Sequence, residues 1–98
     1  MENLKGSAKK YLRSLAHHLK PVVMVGRNGV SGQLIASVDA ALKDHELIKV
    51  KFLEFKEEKK AIAEEISSTT KSEVVGIIGN IVIFYRQHPQ MELRKIKI

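Results

Sequence analysis

The sequence has 98 residues, which is enough for one compact domain with a single modest core. Its 17 Lys and Arg residues outnumber the 11 Asp and Glu residues and give a net charge of +6. The absence of cysteine excludes disulfides and cysteine-based zinc sites, and no apolar run approaches the roughly 20 residues that span a bilayer.

The first predicted element is a helix from Ser7, which can cap it, to about His18. One face is apolar at three- and four-residue spacing: Leu4, Ala8, Tyr11, Leu12, Leu15 and Leu19. The basic residues on and just beyond the opposite face are Lys9, Lys10, Arg13, His17 and Lys20. No carboxylate occurs between Glu2 and Asp39, so no acidic side chain nearby in the sequence offsets the repulsion among these basic residues. Because this repulsion costs stability, the basic face is interpreted as functional.

Pro21 stops this helix, and residues 22–25 are predicted to form a short buried strand. A second helix is predicted from an N-cap at Ser31 to about Asp44, with an inward face of Leu34, Ile35, Val38 and Leu42.

Between that strand and that helix lies a loop in which Gly26 and Gly29 flank Arg27 and Asn28. Glycines lack β-carbons, so this loop can approach another backbone closely. Its N–H groups, the following helix N-terminus and the Arg27 guanidinium together favour an anion such as phosphate. Because the surrounding sequence is basic and free of acids, the loop indicates a surface of one sign that binds nucleic acid.

The second half of the chain predicts three strands and a helix. Residues 47–53 alternate, with Ile48, Val50 and Phe52 on one side and Lys49 and Lys51 on a solvated basic side. Residues 56–70 are predicted to be a helix whose apolar side uses Ala61, Ile62 and Ile66. Strands 73–78 and 81–85 form a hairpin at Gly79-Asn80. The alternating tail at 93–98 is either an added edge strand or a frayed end.

The predicted order is a helix followed by β-α-β-α-β-β. A right-handed crossover makes the first two strands parallel, and the hairpin is antiparallel. We therefore expect an α/β or α+β fold, with a four-stranded mixed sheet packed with helices in two or three layers.

Catalytic and metal-binding groupings are not evident in the sequence. Histidines 17, 18, 45 and 88 do not have the spacing of a metal set, and no nucleophile is grouped with a base. Tyr85 and Arg86 are interpreted as a tyrosine at the core edge and a solvated arginine. We expect no enzymatic activity, no cofactor and no small-molecule substrate.

Four segments together resemble a known family: Tyr11 to Pro21, Gly26 to Gly29, His45 to Lys51 and Gly79 to Arg86. In this order they resemble the stand-alone bacterial CRM domain (chloroplast RNA splicing and ribosome maturation) of the YhbY type, over residues 4–86. The resemblance implies a fold similar to the C-terminal half of bacterial translation initiation factor three. It also implies RNA binding through the Gly-x-x-Gly loop, as in KH domains, and association with precursors of the large ribosomal subunit.

We therefore expect a cytoplasmic, monomeric RNA-binding protein that assists large-subunit assembly, with residues 1–98 as one domain and 87–98 as its tail. Gly26 and Gly29 would admit the sugar–phosphate chain, Arg27 would pair with phosphate, and Asn28 would bond phosphate or ribose. The basic residues of the first helix would extend this track if that helix packs beside the loop. The alternatives are a general nucleic-acid or polyanion-binding module, and a protein-interaction adaptor that uses the tail as an added strand.

Overall fold

The computed structural model describes residues 4–98, so the first three residues of the predicted domain, Glu2 among them, lie outside the described residues. The helices are α1 (Gly6–Ala16), α2 (Gly32–His45) and α3 (Lys59–Thr70), and the strands are β1 (Pro21–Val25), β2 (Leu47–Phe52), β3 (Glu73–Ile78) and β4 (Ile81–Tyr85). Short 3-10 turns occupy Lys56–Glu58 and Met91–Leu93. The predicted order of elements is confirmed.

The four strands form one mixed sheet in the order β1-β2-β4-β3. β1 and β2 are parallel because α2 crosses between them, whereas β4 is antiparallel to both of its neighbours. Gly79 allows the tight β3–β4 turn because its φ of +58° lies in the left-handed region. The predicted four-stranded mixed sheet is confirmed, with β1 and β3 at its edges.

Helices cover both faces of the sheet, so the fold has three layers. α2 and α3 share one core with the sheet: Val23, Val25, Leu34, Val38, Leu42, Ile48, Val50, Phe52, Ala63, Ile66, Val82 and Phe84. α1 covers part of the opposite face in a smaller core: Leu12, Ala16, Leu47, Val75, Ile83 and Tyr85. Leu47 is therefore buried on the side of β2 that the alternation predicts to be solvated.

Several predicted details hold and others are wrong. The N–H of Leu34 donates to the Ser31 hydroxyl at 3.1 Å, which confirms the N-cap of α2. α1 begins one residue before Ser7, and its N-cap residue is Lys5, which makes no side-chain cap bond. The prediction that Ala61 faces the core is wrong, because the buried stripe of α3 follows Ala63, Ile66 and Thr70.

Arg86 and Tyr85 also differ from their predicted environments. The side chain of Arg86 is only 22% exposed, and its guanidinium donates to the carboxylate and carbonyl of Asp39 and to the carbonyl of Thr70. Arg86 therefore joins α2 to the end of α3. Tyr85 is fully buried, because α1 covers the end of β4 that the sequence suggests is a core edge.

The tail is neither of the two forms predicted for it. No strand follows Tyr85 in the part of the chain that the structure describes, so the added edge strand is wrong. The tail is not frayed either, because Ile96 packs against the small core beneath α1.

The tail is fixed by Glu46, which caps the C-terminus of α2 with a φ of +63° and is 1% exposed. Its carboxylate accepts hydrogen bonds from the backbone N–H groups of His88 (2.8 Å), Lys95 and Ile96 (3.0 Å). Charge-assisted bonds of this kind compensate a buried carboxylate for its lost water. Glu46 is thus the anchor that keeps the tail against the domain.

None of the helices within residues 4–98 combines the length and hydrophobicity needed to cross a membrane.

Candidate nucleic-acid interface

The loop that follows β1 is a closed four-residue turn. The N–H of Gly29 donates to the carbonyl of Gly26 at 3.0 Å, which leaves Arg27 and Asn28 exposed at the tip. Gly29 has a φ of +58°, a conformation that other residues adopt at a cost. The sequence therefore builds a tight turn with a cationic and an amide side chain at its exposed end.

The N-terminus of α2 lies directly after this turn. Ser31 satisfies the N–H of Leu34 with its hydroxyl and the N–H of Ile35 with its carbonyl, at 3.0 Å for the latter. The N–H groups of Gly32 and Gln33 have no partner within the helix, because the first turn of any helix lacks acceptors. The positive end of the helix dipole thus adds to the charge of Arg27. Since Gly29 uses its own N–H within the turn, that group is not offered to a ligand.

A groove runs from the turn along β1 and the first two turns of α2. Met24 of β1 lines it on one side, and Gln33 and Ser37 line it on the other. Neither Gln33 nor Ser37 is among the predicted site residues, and their only signal is a polar pair four residues apart on a helix. Both can donate and accept hydrogen bonds, so the groove has neutral polar groups beside the cationic tip.

Phe55 supports the turn from below, a contact that is absent from the sequence-based prediction. The segment after β2 lies beside the segment after β1, with the N–H of Leu53 donating to the carbonyl of Val25 at 2.9 Å. Phe55 follows in a left-handed conformation, and its ring packs against Gly29. Only the parallel pairing of β1 and β2 reveals this neighbour.

The same contact changes the charge around the turn. Glu54, Glu57 and Glu58 flank Phe55 and Lys56 on a short exposed segment. The region without acids in the sequence is therefore not a region without acids in space, and the prediction of a one-signed surface around the loop is wrong. On the side of Phe55 the turn is therefore flanked by a segment in which Glu54, Glu57 and Glu58 outnumber Lys56.

Basic charge continues instead across the open face of the sheet. Lys51 is exposed and Lys49 half-buried on the part of this sheet face that α1 leaves uncovered, and Met24 lies beside Lys51 in the sheet register. Met24 is 48% exposed. The predicted basic face of β2 is confirmed at these two lysines.

α1 does not pack beside the turn. The guanidinium of Arg13 donates to the carbonyl of Val75 at 2.8 Å, and its aliphatic stem covers Gly76. Both partners belong to β3, the edge strand three strand spacings, or about 14 Å, from β1. Arg13 therefore has a structural role and is remote from Arg27.

The other predicted basic residues are spread over the same side of the molecule. His17 and Lys20 are exposed in the connection that leads into β1, whereas the turn follows the end of that strand, about 16 Å away. On α1, Lys10 is exposed and Lys9 half-buried. A single ligand that touches both the turn and these residues must cross the open sheet face.

One ionisable group is strongly perturbed, and it lies away from the turn. Burial raises the pKa of the Tyr85 phenol to about 12, with a further increase from the Glu46 carboxylate and an opposing effect of Arg94. Its hydroxyl has no hydrogen-bond partner among residues 4–98. Tyr85 stays protonated at neutral pH. Over the same residues, no three His, Asp or Glu side chains are grouped closely enough to hold a metal ion.

Comparison with known proteins gives consistent matches over most of the chain. A family model described as the CRS1/YhbY (CRM) domain matches residues 4–86. YqeI of Bacillus subtilis, named as a probable RNA-binding protein, is 39% identical over 94 residues, which are 92% of this chain and 98% of that protein. A Haemophilus influenzae protein named as an RNA-binding protein is 40% identical over 95 residues, which are 96% of each chain.

A solved structure has the same fold. The solution structure of a Staphylococcus aureus protein, described as a candidate RNA-binding protein, superposes with a TM-score of 0.81 and 36% identity. The superposition covers 97% of this chain and 100% of that one.

Proposed function

The chain belongs to the CRS1/YhbY (CRM) domain family, and from this membership we propose that it binds RNA through the Gly26–Gly29 turn. The observation that carries the proposal is the exposed tip of Arg27 and Asn28, held by a closed turn directly before the capped N-terminus of α2. A cation, an amide and a helix dipole at one point suit a phosphate of the RNA backbone.

Each residue of the turn has a distinct part in this proposal. Arg27 pairs with a phosphate, and Asn28 bonds a phosphate or a ribose hydroxyl. Space around the Gly26 α-carbon is open, so an RNA backbone can come close there. Gly29 keeps the turn closed over Phe55. Gln33 offers hydrogen bonds to ribose or base edges inside the groove.

The RNA path proposed beyond the turn crosses the open sheet face. Lys51 and Lys49 lie on this face, and Lys9 and Lys10 of α1 follow. Arg13, His17 and Lys20 belong to the path only for an RNA long enough to span the sheet. The acidic segment around Phe55 repels the RNA from the other side and so orients it across the sheet. The path of the RNA is thus set by repulsion from the acidic segment as well as by attraction to the lysines.

We further propose that the RNA is part of a precursor of the large ribosomal subunit, in the cytoplasm, and that the protein acts as a monomer without catalysis. The support is the family resemblance over residues 4–86, together with a small basic domain whose contacts are electrostatic. A general polyanion-binding module is the competing function. It is favoured by the spread of cations over both ends of β1.

Two measurements test RNA binding and the ribosomal role separately. In competition binding, a structured ribosomal RNA fragment should displace labelled RNA better than duplex DNA or heparin of equal charge; equal displacement would favour the polyanion module. In a low-salt sucrose gradient of cell extract, the protein should co-migrate with precursor large-subunit particles and leave them at high salt. Sedimentation only as free protein would contradict the ribosomal role and leave RNA binding standing.

A further inference from the structure

A second groove lies at the opposite end of β1 from the Gly26–Gly29 turn. It is bounded by the C-terminal half of α1, the first residues of β1 and β2, and the tail, and it has a volume of about 690 Å³. Its apolar wall is formed by Tyr11, Leu15, Leu19, Leu47 and Ile96. Tyr11 is 47% exposed and Leu19 39% exposed, so much of this wall contacts water.

The rim of this groove is basic. Lys20, His45, Lys95 and Lys97 line it, and among residues 4–98 no Asp or Glu side chain does. The one ion pair found within residues 4–98 joins Arg86 to Asp39, away from the groove. The ammonium group of Lys95 donates to the backbone carbonyl of Asp44, which fixes it at the rim without neutralising its charge. The groove thus combines an apolar floor with an uncompensated positive edge.

This combination fits a protein segment better than RNA. Bases are recognised by stacking on flat side chains, and among residues 4–98 only Tyr11 and His45 offer such rings in this groove, the latter at its rim. The remaining wall is aliphatic, which suits leucine-like or aromatic side chains of a peptide. The cations of the rim then require acidic residues beside those apolar anchors.

A second copy of the chain is a poorer occupant. Its matching feature is the acidic segment around Leu53 and Phe55, but the Phe55 ring already packs against Gly29. Two copies with a net charge of +6 each also repel one another. The contact would moreover join unlike surfaces, so it would not close into a dimer.

We propose that this groove binds an acidic amphipathic segment of a partner protein. Apolar side chains of the segment fill the space between Tyr11 and Ile96, and its carboxylates meet Lys20, His45 and Lys97. The groove and the Gly26–Gly29 turn lie about 16 Å apart along β1, so both can be occupied at once. This interaction is independent of the proposed RNA contact at the turn, whereas an RNA long enough to reach Lys20 would also meet the rim of this groove.

The test is a selection with a displayed library of random 14-residue peptides against the full chain. Selected peptides should be enriched in Asp and Glu together with Leu and Phe. Their Kd should rise at least tenfold for the double variant Tyr11→Ser/Leu19→Ser and at least threefold for Lys97→Glu. A matched double variant, Ile78→Ser/Met91→Ser, removes two exposed apolar side chains outside the groove and should bind the peptides as wild type does.

RNA affinity separates this proposal from the preceding one, since Tyr11→Ser/Leu19→Ser should leave it within twofold. Should the double variant fail to fold, Leu19→Ser and Lys97→Glu, each at an exposed residue, replace it. Four outcomes would overturn the proposal: no peptide that distinguishes wild type from the groove variants, selected peptides without acidic enrichment, displacement of the peptides by a single-stranded RNA oligomer too short to reach from the turn to Lys20, or self-association in sedimentation that the groove variants abolish.

Discussion

The ring of Phe55 lies directly against Gly29, and a β-carbon on Gly29 would stand 3.3 Å from its Cε2 atom. At Gly26, at the other end of the turn, no atom of residues 4–98 other than those of Gly26 and its chain neighbours lies within 4 Å of the same position. The two glycines therefore have different physical roles. Gly29 provides a left-handed conformation and room for a ring, whereas Gly26 leaves its surroundings open to a ligand.

This difference predicts opposite effects for Gly26→Asp and Gly29→Ala. The aspartate side chain introduced by Gly26→Asp has space, so stability should change by less than about 0.5 kcal/mol, as at other surface positions, while its bulk and charge should block RNA binding. Gly29→Ala should lower the free energy of unfolding by about 1–2 kcal/mol through strain at positive φ. Urea denaturation and RNA titration of both variants check this. Wild-type RNA affinity in folded Gly26→Asp would exclude the turn as the site.

Replacing Arg27 by Ala should weaken RNA binding by about 1–3 kcal/mol, because a charge-assisted phosphate contact is lost. The slope of log affinity against log salt should also become shallower by about 0.7–0.9. Lys60→Ala, on the exposed face of α3, is the control and should change neither quantity. Titrations at four salt concentrations give both values, and equal slopes for the two variants would indicate diffuse attraction.

The open sheet face gives a separate prediction. The double variant Lys49→Ala/Lys51→Ala should reduce the salt slope by roughly twice the amount of a single contact, because both ammonium groups lie on the proposed RNA path. The matched pair Lys59→Ala/Lys60→Ala removes the same charge from α3. If both pairs reduce the slope equally, the RNA does not follow the sheet face.

Glu46→Gln should destabilise the domain. A glutamine amide supplies one oxygen where three N–H groups now find a carboxylate, and its own N–H₂ would face donors. We expect a loss of about 2–4 kcal/mol in the free energy of unfolding. Amide exchange at His88, Lys95 and Ile96 should accelerate more than exchange in the sheet. Asp44→Asn, an exposed change two residues earlier, should alter neither measurement.

Tyr85 predicts a loss of stability in alkali. An unfolded tyrosine ionises near its ordinary pKa of 10.0, while the folded phenol keeps its proton to about 12. The unfolded state therefore releases its proton first, and stability should fall as the pH rises from 10 towards 12. Tyr85→Phe should remove this part of the fall. It should also gain about 1 kcal/mol at pH 7, because an unpartnered buried hydroxyl disappears. Tyr11→Phe, at an exposed site, should do neither.

Features encoded by neighbouring residues could be predicted from the sequence. The Ser31 cap, the alternation along β2 from Ile48 onward and the Gly79 turn each depend on a few adjacent residues, and the structure confirms them. The Gly26–Gly29 turn is recognisable for the same reason. Its proposed role in binding still awaits the measurements above.

Features that depend on strand order could not be predicted. Phe55 reaches Gly29 only because β2 pairs in parallel with β1, and the burial of Leu47 depends on where α1 settles. Arg13 has the sequence neighbours of a basic surface near the turn, yet its partner carbonyl belongs to the far edge strand. In the sequence, Glu46 looks like an ordinary surface glutamate. The three N–H groups that donate to its carboxylate come more than forty positions later, so no neighbouring residue indicates its burial.

The separation between Glu46 and its donors has a consequence during translation. A nascent chain that has emerged as far as Tyr85 contains all four strands, but it lacks the N–H groups of His88, Lys95 and Ile96. Until those groups emerge, the Glu46 carboxylate lacks these three donors and must keep its water, although the Glu46 N–H can already close the end of α2 on the carbonyl of Leu42. The hydrogen bonds that hold the tail to Glu46 can therefore be completed only after Ile96 has left the exit tunnel.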